Sequence, residues 1–231
     1  MRALFFYTLV LICFVGRGQT ILSNVRECML VGAFKTSLTQ LDSCIAKNYL
    51  KDSAIYYKGM TYLKMNNLKE ANTNCASLIT TYPKFNDAHF LQGLIYYTEK
   101  KYETSISEFD IVISRSPNHL NAIYNRALAL GAGGNYNKCI EGLNKCISLK
   151  PMYGQAYTSR AYYNEVIGEH AKAIKDYETS INLDPKNFDA YFDLARIYRN
   201  QKENAKSCEV INKAIVSGSQ IAEELNQMFC K

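Results

Sequence analysis

An all-α array of short antiparallel helix pairs is the fold this sequence predicts, and three observations predict it. In Ala156–Pro185, apolar and small residues recur at helical three-and-four spacing, at Tyr157, Ala161 and Asn164 and then at Ala173, Ile174, Tyr177, Ser180 and Ile181. Gly168 breaks the run, and Pro185 ends it, because proline lacks the amide hydrogen and clashes with the preceding turn. Two short helices cannot bury their own apolar face, so such a unit needs copies to stack on. The copies exist: the chain has four prolines, and Pro83, Pro117, Pro151 and Pro185 follow one another at intervals of 34 residues. In the same register, Gly59, Gly93, Ala127 and Ala161 hold small residues in each first helix, and Ala71, Ser105, Cys139 and Ala173 do so in each second helix. Twelve glycines and four prolines in 231 residues are also too few for a chain of many short strands and turns.

The elements follow in order. Residues 1–18 read as a secretory signal peptide: Arg2 is the basic start, Ala3–Val15 is a largely apolar run of thirteen, and Gly16-Arg17-Gly18 places small residues where a signal peptidase inspects, with the cut expected before Gln19. A bilayer span takes ~20 apolar residues, which makes a retained anchor the weaker reading. A lipoprotein signal at Cys13 is opposed by the bulky Ile12 before it. The mature protein is therefore expected to be secreted or periplasmic.

Residues 19–51 form a degenerate pair with its turn at Gly32-Ala33 and Leu38, Leu41 and Ile45 on its second helix. Five full pairs are expected over 52–85, 86–119, 120–153, 154–187 and 188–217, turning at Asn66-Asn67, Lys100-Lys101, Gly134-Asn135 and Gly168-Glu169. Aromatic or bulky residues at Ile55, His89, Ile123, Tyr157 and Tyr191, and at Tyr62, Tyr96 and Leu130, fill the slots beside the small ones. The fifth pair, with Tyr191, Ala195, Tyr198 and Ala214, lacks the proline and stops at Gly218, a residue suited to a left-handed helix end. Over 218–231, Ser219 followed by Ile221, Leu225, Met228 and Phe229 predicts an amphipathic helix that caps the array.

A 34-residue helix-turn-helix period with these Gly, Tyr, Ala and Pro landmarks resembles the tetratricopeptide repeat family. The resemblance implies a right-handed superhelical solenoid of about five full repeats, flanked by the degenerate N-terminal pair and the C-terminal capping helix. The sequence departs from the family pattern in three ways. It uses no Trp; Asn164 stands in an aromatic slot; and Gly131-Ala132-Gly133-Gly134 is expected to soften the end of a first helix, since glycine costs ~1 kcal/mol relative to alanine there.

Chemistry-bearing patterns are sparse. His89, His119 and His170 lie in different repeats, and no Cys-x-x-Cys pair offers a zinc site. The glycine-rich stretch from Gly131 fails as a phosphate loop, because Tyr136 stands where its last glycine belongs, it joins helix to helix, and Cys139 follows Lys138 where Ser or Thr is needed. No catalytic residue, metal or cofactor is assigned, and the chain is not expected to be an enzyme. Without residues 1–18 the formal charge falls from +6 to +4, with 25 basic against 21 acidic residues spread along every helix, so no nucleic-acid partner is indicated.

Losing Cys13 leaves seven of eight cysteines. Residues equidistant from a turn share a level in an antiparallel pair, and Cys208 and Cys230 are centred on the Gly218-Ser219 turn, which makes them the disulfide candidate. Cys28 and Cys44 are centred about three residues past their turn, a level mismatch of ~9 Å, so that pair is disfavoured. Cys75, Cys139 and Cys146 occupy slots for buried small residues and read as core thiols, with a redox-sensing thiol as the alternative.

In the family, first helices line a concave groove that takes a partner's peptide or helix. The inward slots fall on Tyr56 and Met60, on Phe90, Leu94 and Tyr97, on Tyr124 and Leu128, on Tyr162, and on Phe192, Arg196 and Arg199. The groove is thus expected to be aromatic and to turn basic at its C-terminal end, or else these tyrosines simply pack on their neighbours. A carboxylate clamp for a partner's C-terminus is disfavoured, since only Asn125 matches it. The resemblance implies a protein-protein interaction scaffold or adaptor. The alternative is a structural subunit of a cell-envelope assembly, secretion or pilus-type complex associated with a membrane, and a thiol-redox protein is a weaker third reading.

Overall fold

The computed structural model describes residues 19–230, apart from the side chains of Met228 and Phe229. The expected leader at 1–18 lies outside the described residues, as do those two side chains of the capping helix. All regular structure among the described residues is helical, and the chain divides into two units at Pro117–Asn118. Among the described residues no helix is long and apolar enough to cross a membrane.

The N-terminal unit contains α1 (19–30), α2 (Phe34–Ala46), α3 (Lys51–Lys64), α4 (Leu68–Thr81), α5 (Asn86–Thr98) and α6 (Tyr102–Arg115). Here α3 packs on α4 and α5 on α6, while α3 also touches α5 directly. Leu22, Val25, Leu41 and Cys44 form the core at the start of this unit, and Cys75, Leu91 and Ile95 continue it. The C-terminal unit contains α7 (Leu120–Ala132), α8 (Tyr136–Leu149), α9 (Gly154–Val166), α10 (His170–Leu183), α11 (Phe188–Asn200), α12 (Asn204–Val216) and α13 (Gln220–Phe229). The same pairing recurs, α7 with α8, α9 with α10 and α11 with α12, and α7 touches α9. Its core joins Ala161, Ala173 and Tyr177 to Tyr191, Leu194, Ile197, Val210 and Ile211.

Helix starts repeat with the sequence period because the turns do. Gly32, Asn66, Lys100, Gly134, Gly168 and Lys202 are spaced by 34 residues, and every one has positive φ, between 57° and 87°. The residue after the turn then begins the next helix, and where it is Asn67 or Asn135 its side chain accepts a hydrogen bond from the amide of Glu70 or Lys138. L-residues with a Cβ pay a steric penalty in this left-handed region, so Lys100→Gly is expected to raise stability by about 1 kcal/mol, read as a higher urea midpoint at unchanged slope. No gain would mean that the Lys100 turn is unstrained.

One connection departs from the others. Tyr49 stands one period before Pro83, and in its vicinity Asn48 and Leu50 adopt left-handed φ values of 55° and 43°. Leu50 packs against the Leu22–Leu41 core, which holds its backbone in a region that leucine otherwise avoids.

The glycine at 131, where softening of the helix end is expected, also has a packing role. Helix α7 continues through Ala132, and Gly131 is buried because the Tyr163 ring of α9 occupies the space that a side chain would take. A Cβ there would lie 2.3 Å from Tyr163 Cζ. Gly93 seats the Phe109 ring in the same way, at 2.7 Å from a would-be Cβ. These glycines are close-packing sites, so the cost in helix propensity is offset by interhelical contact.

Candidate binding face on the first helices

In the N-terminal unit the face formed by α3 and α5 is largely committed to packing. Tyr56 is half-buried with its ring edge-on to Tyr57 at 5.1 Å and to Phe85 at 6.3 Å, and burial pushes its hydroxyl pKa up. Met60 packs against both local cores. Phe90 is only 7% exposed and leans on Phe109 at 5.7 Å, so it belongs to the interior rather than to a docking surface. Leu94 and Tyr97 are half-buried, with the Tyr97 ring 5.8 Å from Tyr102.

In the C-terminal unit the corresponding face is more open. Tyr124 is half-buried; its hydroxyl and Ser159 Oγ share a hydrogen bond of 2.9 Å, and its ring sits 5.3 Å from Tyr153. Burial, with the neighbouring Tyr124 adding to it, pushes the Tyr153 hydroxyl up to about 12. Leu128 and Phe192 are half-buried, and Tyr162 is 50% exposed while stacking edge-on with Tyr163.

Two adjoining recesses result. One, of about 610 Å³, is lined by Tyr124, Tyr153, Thr158, Ser159 and Asp189 among others. The second, of about 430 Å³, is lined by Leu128, Ser159, Tyr162, Asp189, Phe192 and Asp193. The polar wall of the first is stitched by Asn187, whose Nδ2 donates to Thr158 Oγ1 and Ser180 Oγ at 2.9 Å each, while Ser180 Oγ donates to the Gly154 carbonyl.

The charge at this end differs from the basic character suggested by Arg196 and Arg199. Arg196 forms a two-pronged pair with Glu165 of α9 and also donates to Asp193 at 2.8 Å, so two carboxylates surround one guanidinium. Arg199 is exposed on α11. Asp189 and Asp193 were absent from the sequence-derived set, although Asp189 sits three residues before Phe192 and Asp193 three before Arg196; extending the spacing rule along α11 would have found them.

Behind the face lies a polar group that sequence reading saw only as an oddity. Arg160 of α9 donates from Nε and Nη2 to the two carboxylate oxygens of Asp176 on α10, each at 2.7 Å, and from Nη1 to Asn144 of α8 at 2.6 Å. Asn164, buried in its aromatic slot, donates to Asp176 at 3.4 Å. Nearby, the buried Tyr177 hydroxyl lies beside Asp193 without completing a hydrogen bond to it, and burial together with the Asp193 charge raises its pKa.

Cys208 of α12 and Cys230, which follows α13, are joined in a disulfide with their Cα atoms 5.5 Å apart. Cys28, Cys44, Cys75, Cys139 and Cys146 are free. Burial pushes the Cys75 and Cys139 thiols up to about 12 and Cys146 to about 11, which leaves them protonated at neutral pH. Among the described residues no group of three or more His, Cys, Asp and Glu side chains is placed to hold a metal ion.

The repeat geometry has counterparts in known families. Models described as tetratricopeptide repeat match residues 56–119 and 120–152, and one described as TPR repeat matches 167–202, together more than half of the chain. The chain belongs to the tetratricopeptide repeat family. Solved structures agree on the fold. A thermophilic tetratricopeptide repeat protein of Thermus thermophilus superposes with a TM-score of 0.70 at 17% identity, covering 78% of this chain and 98% of its own. A tetratricopeptide repeat protein of Parabacteroides merdae reaches 0.65 at 16% identity over 87% and 80% of the two chains. MamA of Desulfovibrio magneticus, from residue 41 onward, reaches 0.58 at 17% identity over 74% and 96%. At these identities the likeness establishes the fold alone, an all-α solenoid of antiparallel helix pairs. No curated protein matches the chain in sequence. Tetratricopeptide repeats generally mediate protein-protein interactions, and members of the family are typically scaffolds.

Proposed function

We propose that this protein is an adaptor that holds a segment of a partner protein on the α7–α9–α11 face. The observation that carries this reading is the pair of adjoining recesses around Tyr162, a half-exposed aromatic ring set between Leu128 and Phe192 with polar groups beside it. Interior tyrosines pack away most of their surface, whereas Tyr162 keeps half of its own, and tyrosine is among the residue types that carry binding energy at interfaces.

The adaptor works outside the reducing cytoplasm in this reading, in a secreted or periplasmic setting after removal of residues 1–18. The Cys208–Cys230 bond supports that placement, since disulfides persist in oxidising compartments. Docking on a membrane-associated complex of the envelope is compatible with the same face.

A photoreactive benzoylphenylalanine placed at 162 tests the proposal in native cells, with the same group at the exposed Lys145 of α8 as the control. A discrete crosslinked adduct is expected from position 162 and none from 145. No adduct from 162, or the same adducts from both, would overturn it.

A further inference from the structure

We propose that the segment held on this face presents a lysine or arginine side chain to Asp189, with an adjacent apolar residue seated among Leu128, Tyr162 and Phe192. This deepens the reading of the face as a partner site and rests on it. Asp189 is exposed and lines both recesses, while Asp184 lines the larger and Asp193 the smaller, so carboxylates run through both. Neither recess is lined by a lysine or an arginine among the described residues. Lys150 stacks over the Tyr153 ring, 5.6 Å from its centroid, and does not reach the lining.

The cation closest in function, Arg196, does not reverse the sign. Its guanidinium is shared between Glu165 and Asp193, leaving that trio with one net negative charge. The Asp184 carboxylate accepts from the Lys186 backbone amide, which shifts no charge, and Asp189 adds its own. The lining of the two recesses therefore carries three carboxylates, Asp184, Asp189 and Asp193, and neither a lysine nor an arginine, on a chain that is net basic with or without residues 1–18.

An acidic strip on a basic molecule is a local reversal that overall composition does not explain. Charge complementarity of this kind selects partners by sign and rejects like charge. The half-exposed Tyr162 ring adds a surface on which a cationic head group or its aliphatic stem can rest. An anionic or carboxylate-terminated segment would meet repulsion along the whole path, so the committed occupant is a basic one.

The test pans the full chain against a phage library of random dodecapeptides and titrates the enriched peptides by fluorescence anisotropy. Three proteins are compared: the wild type, Asp184→Asn/Asp189→Asn and Leu128→Ala/Tyr162→Ala, each checked for unchanged helical circular dichroism. The expected peptides pair Lys or Arg with an apolar neighbour, and the double asparagine variant is expected to weaken them roughly tenfold, with a similar loss on raising salt. Enriched peptides that are neutral or acidic, or whose affinity ignores the asparagine variant but collapses in the alanine variant, would overturn the cationic anchor and leave the binding face standing. Affinity that ignores both variants, or a library that yields no enriched peptide, would overturn the face itself and the anchor with it.

Discussion

Asp176→Ala is expected to destabilise the C-terminal unit by about 3–5 kcal/mol. The carboxylate is buried at the α9–α10 contact, where it takes both prongs of Arg160 and the Asn164 amide. Removing it leaves a guanidinium whose side chain is 22% exposed without its counter-charge, and strands a buried amide donor as well. The pair itself need not add net stability, because desolvation of two charges offsets much of their attraction. Replacing both partners, as Arg160→Met with Asp176→Leu, is accordingly expected to recover most of the loss. Urea unfolding of the single and double variants checks this; a single variant within about 1 kcal/mol of wild type would show that water reaches Arg160 and solvates it.

Gly131→Ala is expected to cost about 3 kcal/mol or more, at the upper end of what a single added methyl does in a packed interior. The new Cβ would fall 2.3–2.5 Å from three atoms of the Tyr163 side chain, two of the ring and the hydroxyl oxygen. That ring is 8% exposed and is flanked by Tyr162 at 5.1 Å and Tyr136 at 6.0 Å, so it cannot turn aside without moving the neighbours. In a Tyr163→Ala background the same substitution is expected to cost less than about 1 kcal/mol, a coupling that a double-mutant cycle measures. Equal costs in the two backgrounds would place the effect in the α7 backbone instead of the α7–α9 contact. Because Tyr163 supports Tyr162, the single variant is also expected to disturb the binding face.

These two sites show where sequence reading succeeds and where it stops. The slot for Asn164 was recognisable as unusual, but its partner Asp176 is twelve residues away on another helix, and nothing in the local pattern signals that a charge is buried there. Gly131 is a weak helix former when read by propensity alone. Its contact with Tyr163, 32 residues later, turns it into a packing site. The binding face divides in the same way. Spacing placed both Phe90 and Tyr162 in inward slots, four residues apart in the repeat register, yet Phe90 is covered, leaning on the Phe109 ring, while Tyr162 is half open although Tyr163 packs beside it. Arg196 was legible as a cation on the right helix face, whereas its neutralisation by Glu165 depends on a residue 31 positions away.

By itself the sequence determined the helix pairs, their 34-residue period, the position of the turn between the helices of each pair and the face on which the first helices meet. Each of these follows from interactions within a few residues: amide geometry at proline, φ at the turn, and apolar spacing along one helix. Tertiary structure alone decided which face residues stay exposed, where charge is buried, and that the open recesses are acidic in a basic chain. Those properties are sums over atoms brought within a few ångströms by stacking, and a Coulomb or packing term between helices has no counterpart in local sequence until the helices are in contact.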